Sequence, residues 1–200
     1  YQKIKHKKLL TNNAFFVNAK QIIESVNGKN VYLFIIESYG GSVYKNKNYF
    51  DKIKPQLNSF TQSMHNNGFS IRSSFLTSPR LGLGSKYAEA TFLCGNKIKS
   101  SPQYKKLLNS NTRCLPHFFN AAGYQTIIIK PAIYAPWPKG KFFSFDETYY
   151  QKDFNYQGTW YQWARMNDQL ALNFSLKNIL KNKESPYFIE FFLINSHSPW

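Results

Sequence analysis

Six β-forming residues in a row, Val31-Tyr32-Leu33-Phe34-Ile35-Ile36, run straight into Glu37-Ser38-Tyr39-Gly40-Gly41. A strand without polar alternation reads as one buried on both faces, the pattern of a parallel sheet covered by helices. The surrounding periodicities agree. Phe15, Phe16, Ala19, Ile22, Ile23 and Val26 recur at near-helical spacing over 13–26 and stop at Asn27-Gly28. Further helices are expected over about 55–65, 86–94, 102–108, 114–122 and 164–182, with an extended segment at 69–76 and strands at 124–129 and 187–194. Residues 131–160 are rich in Pro, Gly, Phe and Tyr without a period and read as a long functional loop. Helix and strand alternate, so the expected fold is α/β, an αβα sandwich with a mainly parallel sheet, and its chemistry belongs at the carboxyl ends of the strands.

That rule selects residues. Glu37 follows the first strand directly, and Ser196-His197-Ser198 follows the last. A carboxylate at the end of a buried strand is costly without a cation or hydrogen-bonding cluster beside it, which makes Glu37 a candidate ligand for a hard divalent ion; a loop glutamate in solvent is the alternative. Ser85 follows Gly82-Leu83-Gly84 and opens a helix, whose first amides have no partner within the helix and face whatever the hydroxyl meets. The same position suits a plain N-cap. As a nucleophile toward phosphorus or sulfur, Ser85 needs activation, and a metal held in part by Glu37 supplies it.

Taken in order, these segments resemble the alkaline-phosphatase superfamily in its sulfatase-type branch, particularly the membrane-anchored lipoteichoic acid synthases and phosphoethanolamine transferases. Ile35-Ile36-Glu37-Ser38 is similar to the first metal-ligand motif. Gly82 through Gly95 is similar to the glycine-led Ser or Thr block, with Ser85 as the matching nucleophile. Leu115–Ile129, including Ala122-Gly123-Tyr124-Gln125-Thr126, resembles the helix and "GY-T" strand, and Phe143–Asp146 the aromatic "F-Y-G-F-D" element. Asn195-Ser196-His197-Ser198-Pro199 resembles the "SHxP" block whose histidine contacts substrate. The resemblance implies Ser85 and His197 as catalytic residues, Glu37 and Ser85 as metal ligands, and Trp137, Lys139 and His197 as substrate contacts. It implies a divalent ion, Zn²⁺ or Mn²⁺, and an anionic lipid or cell-envelope substrate outside the cytoplasm.

Several departures refine this. The paired aspartate of calcium-dependent sulfatases is Glu37-Ser38 here, and Ser78-Pro79-Arg80 lacks the residue between Pro and Arg that their aldehyde-forming motif requires. Aldehyde-type sulfatase chemistry is therefore rejected. Trp137-Pro138-Lys139 stands where the synthases have Trp-x-Arg, so a point charge replaces a bidentate fork. The family's remaining ligands, an Asp-His pair, lie beyond the "SHxP" block. The chain is accordingly expected to be one partial catalytic domain over 1–200, truncated at both ends, weak in metal binding and inactive alone, its membrane association resting on a segment outside the sequence.

Charge leaves one competitor. Twenty-six Lys and Arg against ten Asp and Glu give +16, which calls for an anionic partner and by itself also suits a basic nucleic-acid-binding domain. The ordered motifs favour the enzyme, so nucleic acid is not the expected partner. The aromatic stretch at 142–161 lacks the interleaved Arg and Lys of a base-stacking platform. His6, His65 and His117 read as structural or solvated. Cys94 and Cys114 fit equally a single disulfide or two buried thiols.

Overall fold

The apolar run does form a strand, β1 (Val31–Ile36), but not a doubly buried one. In the computed structural model, which describes residues 21, 23–80, 82, 84–160, 164, 166–184 and 186–197, four parallel strands lie in the order β1-β4-β2-β3. The other three are β2 (Gln125–Lys130), β3 (Glu147–Tyr150) and β4 (Tyr187–Leu193). β1 is thus an edge strand, and Tyr32, Phe34 and Ile36 on one of its faces are 43–49% exposed. β4 is the strand buried along its whole length, because β1 and β2 flank it.

Contacts divide the chain into two compact units, Ser38–Ser78 and the remainder. The smaller unit holds α1 (Ser42–Lys45) and α2 (Lys47–Asn66). α2 begins eight residues before the expected Pro55, because the Asn46 side chain accepts the Asn48 N–H at 3.0 Å and caps it. Pro55 lies inside this helix rather than at its start. Residues 69–76, expected as an extended segment, lie in neither helix nor strand. Tyr44 packs its ring against Tyr39, Phe50 and Phe75 within this unit.

The larger unit is layered around the sheet. One face carries Ile127, Ile129, Ile189, Phe191 and Leu193 against α6 (Asp168–Phe174) and the π-helical turn Ser175–Ile179 that continues it. The other face carries Phe188 and Leu33 against α3 (Ser85–Cys94), α4 (Ser101–Leu108) and α5 (Leu115–Ala121). Period-two alternation along β2 and β4 assigns the two sets, and fully burying each such side chain stabilises the fold by about 1.5–3 kcal/mol. The expected helix over 164–182 starts later, at Asp168, where Asn167 accepts the Gln169 N–H at 2.8 Å. Most of the helix expected over 13–26 lies outside the described residues.

The expected loop at 131–160 contains regular structure: 3₁₀ turns at Pro138–Phe143 and Gln151–Phe154, and β3 between them. β3 is anchored from its first side, because Asp146 accepts from the Thr126 N–H at 2.8 Å and the Thr126 hydroxyl at 3.0 Å. Cys94 and Cys114 form a disulfide that joins the end of α3 to the start of α5. His117 is structural, as expected: its Nδ1 accepts the Cys114 N–H at 3.1 Å, and burial pulls its pKa down.

Candidate active site

The carboxyl ends of β1 and β4 are adjacent, so the residues that follow them meet. The ladder continues one step past β1, where the Glu37 N–H donates to the Leu193 carbonyl at 3.0 Å. The Ser196 hydroxyl then donates to the Glu37 carbonyl. This brings the His197 Nε2 to 3.7 Å from Glu37 Oε1, with the two side chains 27% and 16% exposed. Immediately after Glu37, Ser38 takes φ +62°, a left-handed conformation uncommon for a residue other than glycine.

A third element fixes this edge from below. Asp168, the first residue of α6, accepts the Ile194 N–H at 2.9 Å and the Asn195 N–H at 2.7 Å, while the Asn195 side chain accepts the Asp168 N–H. Burial pushes the Asp168 carboxyl upward, and these two backbone donors oppose the shift. The loop bearing Ser196 and His197 is therefore clamped at its root. Nothing in the sequence singled out Asp168, although Asn167-Asp168 opening a helix is a recognisable capping signal.

Ser85 is half-buried at the first position of α3. The preceding Gly84 has φ +105°, and a Cβ there would lie 2.8 Å from the Tyr87 ring, so this turn tolerates glycine alone without rearrangement. Helical geometry puts Ser85 and Glu89 on one face of α3. Glu89 is buried and ion-paired with Lys130, the last residue of β2. Ser85 therefore stands one helical turn before the residue that ties α3 to the carboxyl end of β2. Alternation along β1 places Leu33 against the cluster that contains α3, and Glu37 follows Leu33 at an even spacing.

Trp137 and Lys139 do not line one cleft. Trp137 borders a cavity of about 520 Å³ together with Lys141, Asp146, Lys152 and Asp153. Lys139 is exposed and borders a neighbouring one of about 590 Å³ with Lys105 and Phe142. Pro138 and Lys141 line both. The Trp137 ring is instead close to Lys130, whose Nζ lies 4.2 Å from its centroid.

The sulfatase family model matches residues 29–200. The chain belongs to the sulfatase family. Two solved structures share the fold: the lipoteichoic acid synthase LtaP from Listeria monocytogenes, with TM-score 0.67 and 17% identity over 92% of this chain, and the C-terminal periplasmic domain of EcEptC from Escherichia coli, with TM-score 0.55 and 18% identity over 85%. The chain spans less than half of either, 47% and 44% respectively. No curated protein matches it.

Sulfatase-type proteins commonly use a divalent ion, and the donors present fit one in part. Glu37 offers a carboxylate and Ser85 a hydroxyl, a hard-oxygen pair. Among the described residues no three His, Cys, Asp or Glu gather to hold a metal. Among the described residues no helix is long and apolar enough to cross a membrane.

Proposed function

We propose that the protein is a metal-dependent phosphoryl or sulfuryl ester transferase or hydrolase that works through Ser85, with a phospholipid-derived headgroup or cell-envelope glycan as its substrate. The observation that carries this reading is the placement of Ser85: a tight glycine turn starts α3 there, and Glu89, one turn on, pairs with the end of β2. Unpaired amides of the first helical turn favour an anion beside the hydroxyl. Glu37 and Ser85 would hold the divalent ion, Zn²⁺ or Mn²⁺, which when bound lowers the pKa of the serine hydroxyl and neutralises charge on the ester.

The chain's own residues divide the remaining work. The Ser85 Oγ attacks phosphorus, the bond to the leaving alkoxide breaks, and the group stays on Ser85 until water or an acceptor hydroxyl removes it. His197, beside Glu37, donates a hydrogen bond to a non-bridging oxygen or a proton to the leaving alkoxide. Trp137 and Lys139 contact the remainder of the substrate from two adjoining clefts, Lys139 as a point charge. The named activity of LtaP, a lipoteichoic acid synthase, favours a cell-envelope substrate, and the periplasmic EcEptC domain favours an extracytoplasmic one. The Cys94–Cys114 disulfide suits that oxidising compartment.

The test is turnover of a phosphodiester by the full-length protein with Mn²⁺ or Zn²⁺. Ser85→Ala is expected to abolish it with the fold intact. Retained turnover would remove the assignment, and loss confined to Thr77→Ala or Ser78→Ala would move the nucleophile there.

A further inference from the structure

Three ionisable side chains are buried together on the α3 face of the sheet: Glu89, Lys130 and Glu190, none more than 4% exposed. The Lys130 ammonium donates to Glu89 Oε1. It also lies 4.2 Å from the centroid of the Trp137 ring and 4.5 Å from that of Phe192, held between two aromatic faces. Both Glu190 carboxyl oxygens are buried with no hydrogen-bond partner among the described residues. A buried ion pair is a poor source of stability, since apolar residues of similar volume commonly do as well. Its placement supplies a different reason for it. One ammonium touches the helix that begins with Ser85 and the ring that lines the 520 Å³ cavity.

We propose that Lys130 is a positioning residue: through Glu89 it fixes the register of α3, and through its cation–π contact it fixes the Trp137 ring, so that nucleophile and substrate-lining ring are set from one buried charge. This rests on the reading of Ser85 as the nucleophile, and it explains why a lysine follows Ile127, Ile128 and Ile129 at the end of β2. Glu89 cannot move without carrying the helix face that bears Ser85. A displacement of about 1 Å at a reacting group costs roughly 10²-fold in rate.

The experiment compares Lys130→Met and Glu89→Gln with Ile179→Ala, a core substitution on the opposite face of the sheet, in the full-length protein and at matched distance below each melting temperature. Three readouts are taken: amide hydrogen exchange over residues 89–94, the emission of Trp137, and turnover of a phosphodiester with Mn²⁺. Trp137 emission is obtained by subtracting a Trp137→Phe partner in each background, because Trp160, Trp163 and Trp200 also emit. Lys130→Met is expected to accelerate exchange in α3 at least tenfold over Ile179→Ala, to shift the Trp137 emission, and to lower kcat roughly 10- to 100-fold. Glu89→Gln is expected to accelerate exchange with a smaller emission shift, since Lys130 stays over its rings; it carries the comparison should Lys130→Met fail to fold. Exchange and emission no different from Ile179→Ala overturn the proposal. Altered exchange and emission with wild-type kcat overturn it as well. A wild type without turnover sinks the phosphotransfer reading alone, and exchange and emission then decide whether Lys130 ties helix to ring.

Discussion

Glu190 sits in the centre of β4 with no exposure. Burial lifts its pKa well above the usual carboxylate range, the neighbouring Glu89 charge lifts it further, and Lys130 offsets only part of this. The folded state therefore keeps a proton that the unfolded chain gives up near its ordinary value of 4.5. Stability is fully present below that value and falls as pH rises toward the folded-state pKa, by up to about 1.4 kcal/mol per pH unit. Glu190→Gln, which keeps the shape and cannot ionise, is expected to unfold with a flatter pH dependence and to exceed the wild type in stability at pH 8 but not at pH 4. Parallel denaturation curves across that range would count against a protonated Glu190. Glu37 and His197 separate by a different pair of measurements. Glu37→Gln is expected to weaken Mn²⁺ or Zn²⁺ binding strongly, whereas His197→Ala is expected to cut turnover about 10²–10⁴-fold with metal content unchanged. Metal content falling with activity in His197→Ala would make that imidazole a ligand. Glu37, Ser85 and His197 were legible as candidates because each stands at the end of an element, where chemistry has room. Glu89, Lys130 and Glu190 were not, because nothing local says that residues 41 positions apart, such as Glu89 and Lys130, will meet.

At the scale of elements, α3 is held at both ends. Gly84 and the Glu89–Lys130 pair fix its start, and the Cys94–Cys114 disulfide joins its last residue to the residue before α5. A cross-link closing a loop of this separation, 20 residues, stabilises by about 3 kcal/mol. Reduction, or Cys94→Ser with Cys114→Ser, is expected to lower the melting temperature by roughly 6–12 °C for a domain of this size. An unchanged melting temperature under reductant would mean that the thiols are not paired in solution. The helices over 85–94, 101–108 and 115–121 were readable from glycine, proline and apolar spacing, since their signals are local. The burial of β1 was misread for the opposite reason. Its six apolar residues and those of β4 look alike, and only long-range pairing decides that β4 takes the centre and β1 the edge. β3 escaped notice because Glu147–Tyr150 has no apolar period, and its pairing with β2 depends on Asp146 reaching Thr126.

The whole molecule joins a layered α/β unit to the separate Ser38–Ser78 unit, which follows Glu37 directly. All four strands run parallel, so every candidate that follows a strand stands at one edge of the sheet. The fold class was legible because alternation of helix and strand survives errors at single elements. Trp137 and Lys139 lining separate clefts was not, since two residues apart in a 3₁₀ turn do not share a face. The positive charge of +16 calls for an anionic partner and leaves its identity to the site. The central claim is that the transferred group passes through Ser85. The full-length protein is incubated with a phosphodiester and Mn²⁺, quenched in acid, digested and read by mass spectrometry. The account predicts a phosphoryl adduct on the peptide containing Ser85, absent from Ser85→Ala; an adduct on a different residue, or turnover that persists in Ser85→Ala, would contradict it.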